Sequence, residues 1–128
     1  MDKPGKKVRD IRFFSNKNQR IVIVHSEGAR AFSKYLEDRE EVESYEVGKV
    51  LDEGRLKTVS CVDIRGEYIK QEWSSDFVLK YQDGITGVRE IIRPSDLEKR
   101  AEVEKLELSR RYWAMLGVVD WKVVVVGK

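Results

Sequence analysis

The apolar positions of the chain recur in two patterns, one typical of β-strands and one typical of helices. Short runs rich in β-branched and aromatic residues predict strands. The run 20–24 predicts a short strand or the extended lead into a helix. Further strands are predicted at about 44–51, 56–64, 68–73, 74–81, 85–92 and 121–126. The last of these is apolar throughout, which is typical of a strand buried between neighbours.

Two other stretches have helical spacing. Ser26 is a good N-cap for a helix that runs to about Asp38, with Ala29, Phe32 and Leu36 on its inner face. A long second helix is predicted from Pro94, because Ser95 and Glu98 have capping-box spacing. It ends at Gly117. Its apolar stripe is predicted to contain Leu97, Ala101, Leu108, Tyr112 and Met115, widened by Leu106, Trp113 and Leu116.

The order of these elements predicts an α/β (α+β) fold. A helix, several antiparallel strands, a long helix and a last strand fit one mixed β-sheet flanked by helices. A chain of 128 residues is long enough for one domain with a sizeable core, which we expect to span 1–128. Residues 1–19 are locally basic and predict an N-terminal arm. A DNA-contacting arm and a solubilising, poorly ordered terminus both fit this composition.

The stretch from Ser74 to Pro94 carries the candidate chemistry. Two β-rich runs flank Gln82-Asp83-Gly84, so the stretch predicts a β-hairpin. Asp76 lies near the start of the first strand and Glu90 near the end of the second, which places both acids at the same edge of an antiparallel pair. Two carboxylates there suit one hard cation such as Mg²⁺, which would activate water against a phosphodiester. Two solvated acids on a surface hairpin fit the same spacing.

The composition of the chain excludes some kinds of site and surface. Charged residues make up 38% of the chain, yet the net charge is only +2, so any basic surface must be local. The single cysteine, Cys61, excludes an intramolecular disulfide and predicts a core residue. The single histidine, His25, excludes a site that needs two. Without a signal peptide or a membrane-length apolar run, we expect no membrane partner and a cytoplasmic location.

Particular motifs resemble a known family. Ser74-Ser75-Asp76-Phe77, followed by Glu104-Lys-Leu-Glu-Leu-Ser-Arg-Arg-Tyr-Trp113 and then Gly117, resembles TnsA, the endonuclease subunit of heteromeric bacterial transposases. The lead into the first helix, 13–30, and the segment 42–45 are also similar to that family. The resemblance covers nearly the whole chain and corresponds to the family's N-terminal catalytic domain. It implies the restriction-endonuclease-like PD-(D/E)XK core.

The resemblance also implies a function and a set of site residues. Such enzymes cut DNA at transposon ends with Mg²⁺ or Mn²⁺, alongside a transposase partner. Asp76 matches the family aspartate, a metal ligand, and Glu90 matches the second ligand. The family lysine falls on Ile92. Arg93 stands next to it as a replacement cation, which stabilises negative charge but shuttles protons poorly. In an alternative register Arg93-Pro94 matches the family Lys-Pro, and Ile91 then takes the acid position.

The chain departs from the family at two expected catalytic positions. The acid of the first helix falls on Ala29, and Glu27, two residues earlier, faces away from that side of a helix. With Ile92, two of four positions are therefore apolar. Two functions follow as alternatives: a metal-dependent DNA endonuclease that recruits other residues, such as Glu72, or a catalytically degenerate nuclease fold used for DNA or protein binding.

Overall fold

The fold is known from a computed structural model, which describes residues 10–60, 62, 64 and 73–126. Six strands are present in the described residues: β1 (Ile11–Ser15), β2 (Arg20–Val24), β3 (Val42–Val50), β4 (Ser74–Tyr81), β5 (Thr86–Ile92) and β6 (Asp120–Val125). The helices in the same residues are α1 (Glu27–Glu37), the short α2 (Glu53–Leu56), a 3-10 helix (Pro94–Glu98) and α3 (Arg100–Met115).

The strands form two sheets. β1 and β2 make an antiparallel hairpin, and the larger sheet has the order β3-β4-β5-β6. β3, β4 and β5 are antiparallel neighbours, whereas β6 runs parallel to β5 after the crossover through α3. The predicted fold class, a mixed sheet flanked by helices, is confirmed.

A hydrophobic cluster lies on each face of the larger sheet. On one face α1 and the β1–β2 hairpin pack through Leu36 and Val24 against Tyr45, Phe77 and Leu79. On the other face α3 packs against the sheet and the segment after β3; its cluster contains Leu51, Leu56, Val59, Trp73, Val88, Leu108, Tyr112 and Trp113. The sheet is therefore the middle of three layers, and the candidate hairpin β4–β5 lies at its centre.

Several predicted elements are confirmed. Ser26 is the N-cap of α1, where its side chain accepts a hydrogen bond from the Ala29 N–H. The β4–β5 hairpin turns at Gly84, whose φ of +86° is a conformation that glycine adopts readily. The described part of the predicted N-terminal arm, residues 10–19, contains β1 and the turn into β2.

The strand predicted at 56–64 is wrong. Asp52 caps the short helix α2, because its side chain accepts a hydrogen bond from the Arg55 N–H. Leu56 and Val59 then fall one helical turn apart and are both buried beneath α3. The strand predicted at 68–73 lies outside the described residues except for Trp73, and so does Cys61.

The start of the long helix also differs from the prediction. Asp96 accepts a hydrogen bond from the Arg93 N–H, and the first turn is a 3-10 helix, so α3 begins only at Arg100. Leu97 and Met115, predicted in the apolar stripe, are 50% and 44% exposed. Among the strands that the structure describes, β6 has a single neighbour, β5, and so lies at the edge of the sheet instead of between two strands. None of the described helices is long and apolar enough to cross a membrane.

Candidate functional site

The two predicted acids meet where the β4–β5 backbone ladder ends. Its last backbone pair is Phe77 with Arg89. Beyond that pair, side chains take over the cross-strand bonding. Glu90 Oε1 accepts a hydrogen bond from the Asp76 N–H at 2.9 Å, and Asp76 Oδ2 accepts one from the Ile91 N–H at 2.8 Å. We call this reciprocal pair the acid clamp. The prediction that both acids lie at the same edge of the hairpin agrees with this placement.

Glu90 is also the centre of a buried polar network. Its side chain is 0% exposed. Oε2 accepts hydrogen bonds from the hydroxyls of Ser75, on β4, and Ser109, on α3. Each serine oxygen in turn accepts an indole N–H: Ser75 from Trp113 at 2.8 Å and Ser109 from Trp121 at 3.0 Å. We refer to these five side chains as the Glu90 network.

The network explains why a charged group is tolerated in the core. A buried carboxylate is stable only when its oxygens accept hydrogen bonds. Here three donors converge on two oxygens, two from serine hydroxyls and one from the backbone of Asp76. Because the serines sit on different elements and their indole partners belong to α3 and β6, the carboxylate joins four elements. Glu90 thus acts as an internal support of the sheet.

Among the described residues, the acid clamp alone does not provide a complete Mg²⁺ site. A magnesium site needs several oxygens in near-octahedral geometry, with room for bound water. The acid clamp offers two carboxylates, and Glu90 has no contact with solvent. Within 10–60, 62, 64 and 73–126, no group of three or more His, Cys, Asp or Glu side chains is placed to hold a metal ion.

Arg93, the third predicted site residue, faces the 3-10 helix and not the acid clamp. The Arg93 side chain is 61% exposed, and its Nε lies 3.7 Å from Asp96 Oδ2. It is thus engaged with the 3-10 helix that follows β5. Ile92, at the family's lysine position, is buried, and Ala29 packs with the cluster around Phe77. Glu72, considered as a recruited acid, lies outside the described residues.

Exposed cations lie on the strands to either side of Asp76. Lys49, on β3, pairs in register with Ser75, the residue before Asp76. Arg93 directly follows β5. Both side chains are largely exposed, although each also pairs with a nearby acid, Glu46 and Asp96 respectively. At the end of the sheet that holds the acid clamp, the described residues thus place two exposed cations, each already paired with an acid, and no net positive patch.

Sequence reasoning missed the support of Glu90. It placed Trp113 on the apolar stripe of the long helix, and Trp113 is indeed buried in the core. The available signal was Ser109, a polar residue next to Leu108 on the inner face of α3. A buried serine on such a face needs a partner, but the sequence does not name it.

A second acid, Glu37, at the C-terminal end of α1, accepts several hydrogen bonds. Ser15 Oγ and Tyr45 OH donate to Oε2, and the Lys17 N–H donates to Oε1. Burial raises the pKa of Glu37, but these hydrogen bonds outweigh it and hold the pKa below the usual value. The cluster fastens the β1–β2 hairpin to α1 and β3, so its role is structural.

Comparison of the chain with known proteins adds no family assignment. No protein-family model matches the sequence, and no curated protein matches it.

Proposed function

We propose that the chain is a divergent TnsA-like nuclease domain that acts on DNA beside a protein partner, with its acid pair supporting the sheet and not a catalytic metal ion. The observation that carries the proposal is the state of Glu90, which is fully buried and accepts three hydrogen bonds from the protein. The resemblance in 74–77 and 104–113 supplies the link to DNA.

Two groups that cleavage needs are missing from the site as far as the described residues form it. A hydrolytic nuclease requires an accessible metal ligand set and a cation that assists proton transfer. Glu90 is fully buried and hydrogen-bonded to Ser75 and Ser109, and the lysine position holds the buried Ile92. Arg93 stays protonated and is paired with Asp96, so it is a phosphate contact and not a proton shuttle.

Lys49 and Arg93 are the side chains that we expect to contact the DNA backbone. They flank Asp76 on neighbouring strands, and long exposed cations of this kind bind phosphates without reading sequence. Binding should therefore weaken with salt, because each phosphate contact releases counterions.

The experiment is a fluorescence-anisotropy titration of labelled duplex DNA at several salt concentrations. Lys49→Ala and Arg93→Ala should each weaken binding and lower the salt slope by about 1. The matched control is Lys80→Ala. Lys80 is also exposed and sits on β4, but four residues from Asp76 at the opposite end of the strand, about 13 Å away. If the duplex does not bind even at low salt, or if Lys80→Ala weakens binding as much as the others, the proposed DNA contact is wrong.

An active metal-dependent endonuclease is the second candidate, favoured by the adjacency of Asp76 and Glu90 in the acid clamp. In that case Mg²⁺ or Mn²⁺ would supply an activated water, with DNA phosphates completing its ligands. Plasmid nicking with either metal, alone or with a transposase-type partner, tests it. Nicking that Asp76→Asn abolishes would replace the first candidate by the second.

A further inference from the structure

A pocket lies on the α1 side of the sheet, between the C-terminal half of α1 and parts of β5 and β6. Phe32 and Leu36, on α1, pack against β3 and β4. β5 and β6 continue the same face, because Arg89 pairs with Phe77 across the hairpin and Lys122 pairs with Arg89. Between α1 and these strands a cavity of about 460 Å³ opens to solvent. This volume is within the usual range for small-molecule sites.

The floor and one wall of the pocket are apolar. Tyr35 stacks on Phe32 with a ring separation of 5.7 Å, and about half of Tyr35 is exposed at the wall. The other apolar lining residues are Leu36, Val42, Leu79 and Val124. Such a surface favours a ligand with an apolar or aromatic body.

The rim carries an excess of positive charge. Arg39, Arg89 and Lys122 line the pocket, against the single lining acid Glu41. Asp120 is bound to Arg89, so three cations face two acids and the balance is +1.

The three cations differ in how many of their N–H donors remain for a bound anion. Arg89 is 12% exposed and committed to Asp120 and the Tyr81 hydroxyl. Arg39 uses Nε and Nη2 for Glu41, and its Nη1 bonds to none of the described residues. Lys122 is exposed and makes no ion pair or side-chain hydrogen bond within the described part of the chain, although Asp120 is close enough to interact electrostatically. An anion held between Lys122 and Arg39 would balance the site.

We propose that this pocket binds a small amphipathic anion, with an apolar or aromatic body against Tyr35, Leu79 and Val124 and one anionic group between Lys122 and Arg39. The site is separate from the acid clamp and does not depend on the proposed action on DNA. A single anionic group matches the charge balance, and charge-assisted hydrogen bonds to the two cations would select it over a neutral analogue.

Two fluorescent probes with the same body test the charge selection. 8-Anilino-1-naphthalenesulfonate carries one sulfonate, and N-phenyl-1-naphthylamine is its neutral counterpart. We expect the wild type to bind the sulfonate about tenfold more tightly than the neutral probe. Lys122→Met should weaken sulfonate binding by about tenfold and leave neutral binding nearly unchanged, and Arg39→Met should act in the same direction.

Two further variants separate pocket binding from other sources of fluorescence. Lys57→Met removes another exposed lysine, at the C-cap of α2 and away from the pocket lining, and should change neither probe. Val124→Trp fills the pocket and should weaken both probes, with circular dichroism reporting that the variant is folded. The proposal is overturned if the two probes bind equally, if Lys57→Met acts like Lys122→Met, or if neither probe binds the native protein.

Discussion

Replacing Glu90 by glutamine separates a structural acid from a metal ligand. The substitution keeps the shape of the side chain and removes its charge. Three donors converge on the Glu90 oxygens, from Ser75, Ser109 and the Asp76 backbone. A glutamine has one carbonyl oxygen with two lone pairs, and its amide group is itself a donor. A serine could rotate its hydroxyl and accept the new amide N–H on its second lone pair, beside the indole N–H that it already accepts, but its own O–H would then lose the acceptor at position 90.

The expected loss of stability follows from the number of donors that a glutamine at position 90 can satisfy. At least one of the three donors loses its acceptor, and a buried donor without a partner costs about 1–3 kcal/mol. Removing a buried charge relieves some desolvation and offsets part of this cost. We therefore expect Glu90→Gln to lower the free energy of unfolding by about 2 kcal/mol, or the Tm by about 6–10 °C for a domain of this size.

Urea unfolding followed by circular dichroism and tryptophan fluorescence measures this quantity. Asp76→Asn is the matched control, because an asparagine oxygen still accepts the Ile91 N–H that Asp76 Oδ2 accepts now. It should cost less than about 1 kcal/mol. Two acids kept together for a metal repel each other when it is absent, and neutralising either one then stabilises the protein. A gain in stability from Glu90→Gln would therefore refute the structural role of the carboxylate.

Three other predictions concern the packing around the sheet. Gly28→Ala should cost about 1–3 kcal/mol in urea unfolding, because the added Cβ overlaps the Val126 side chain, and Val126→Ala in the same molecule should restore much of the loss. The lowered pKa of Glu37 gives stability that is present above its usual value of 4.5 and lost as the pH falls through the folded-state pKa. Unfolding curves from pH 3 to 7 should therefore depend less on pH in Glu37→Gln, and an unchanged slope would contradict this. Arg89→Met should cost about 2 kcal/mol, because Asp120 loses its ion pair and keeps the hydrogen bond from the Tyr81 hydroxyl. A double-mutant cycle with Asp120→Asn should give a coupling above about 0.5 kcal/mol, and additive effects would count against the pair.

The local parts of the fold were predictable because short-range chemistry determines them. Ser26 caps α1 as its position suggested, and alternating apolar residues on either side of Gly84 gave the β4–β5 hairpin. The adjacency of Asp76 and Glu90 followed from that hairpin alone. Where prediction failed locally, a competing cap was responsible: Asp52 starts α2 in a run that has strand composition.

The non-local parts were not predictable from one sequence. The valine run of β6 suggests a strand buried on both sides, but nothing in it indicates that β6 lies at the edge of the sheet. The partners of Glu90 are equally remote. Ser109 lies 19 residues away, and Trp121 reaches that serine from 12 residues further along the chain. The packing of α3 on the sheet brings these groups together, so the spacing of the acids along the chain could not reveal the hydrogen bonds that Glu90 accepts.

The most direct test of this account is a calorimetric titration of Mn²⁺ into the wild type and Asp76→Ala. The account predicts no heat of specific binding in either protein, because the carboxylate of Glu90 is buried and already bonded to Ser75 and Ser109. Micromolar Mn²⁺ binding by the wild type that disappears in Asp76→Ala would contradict it, and the acid clamp would then be a metal site.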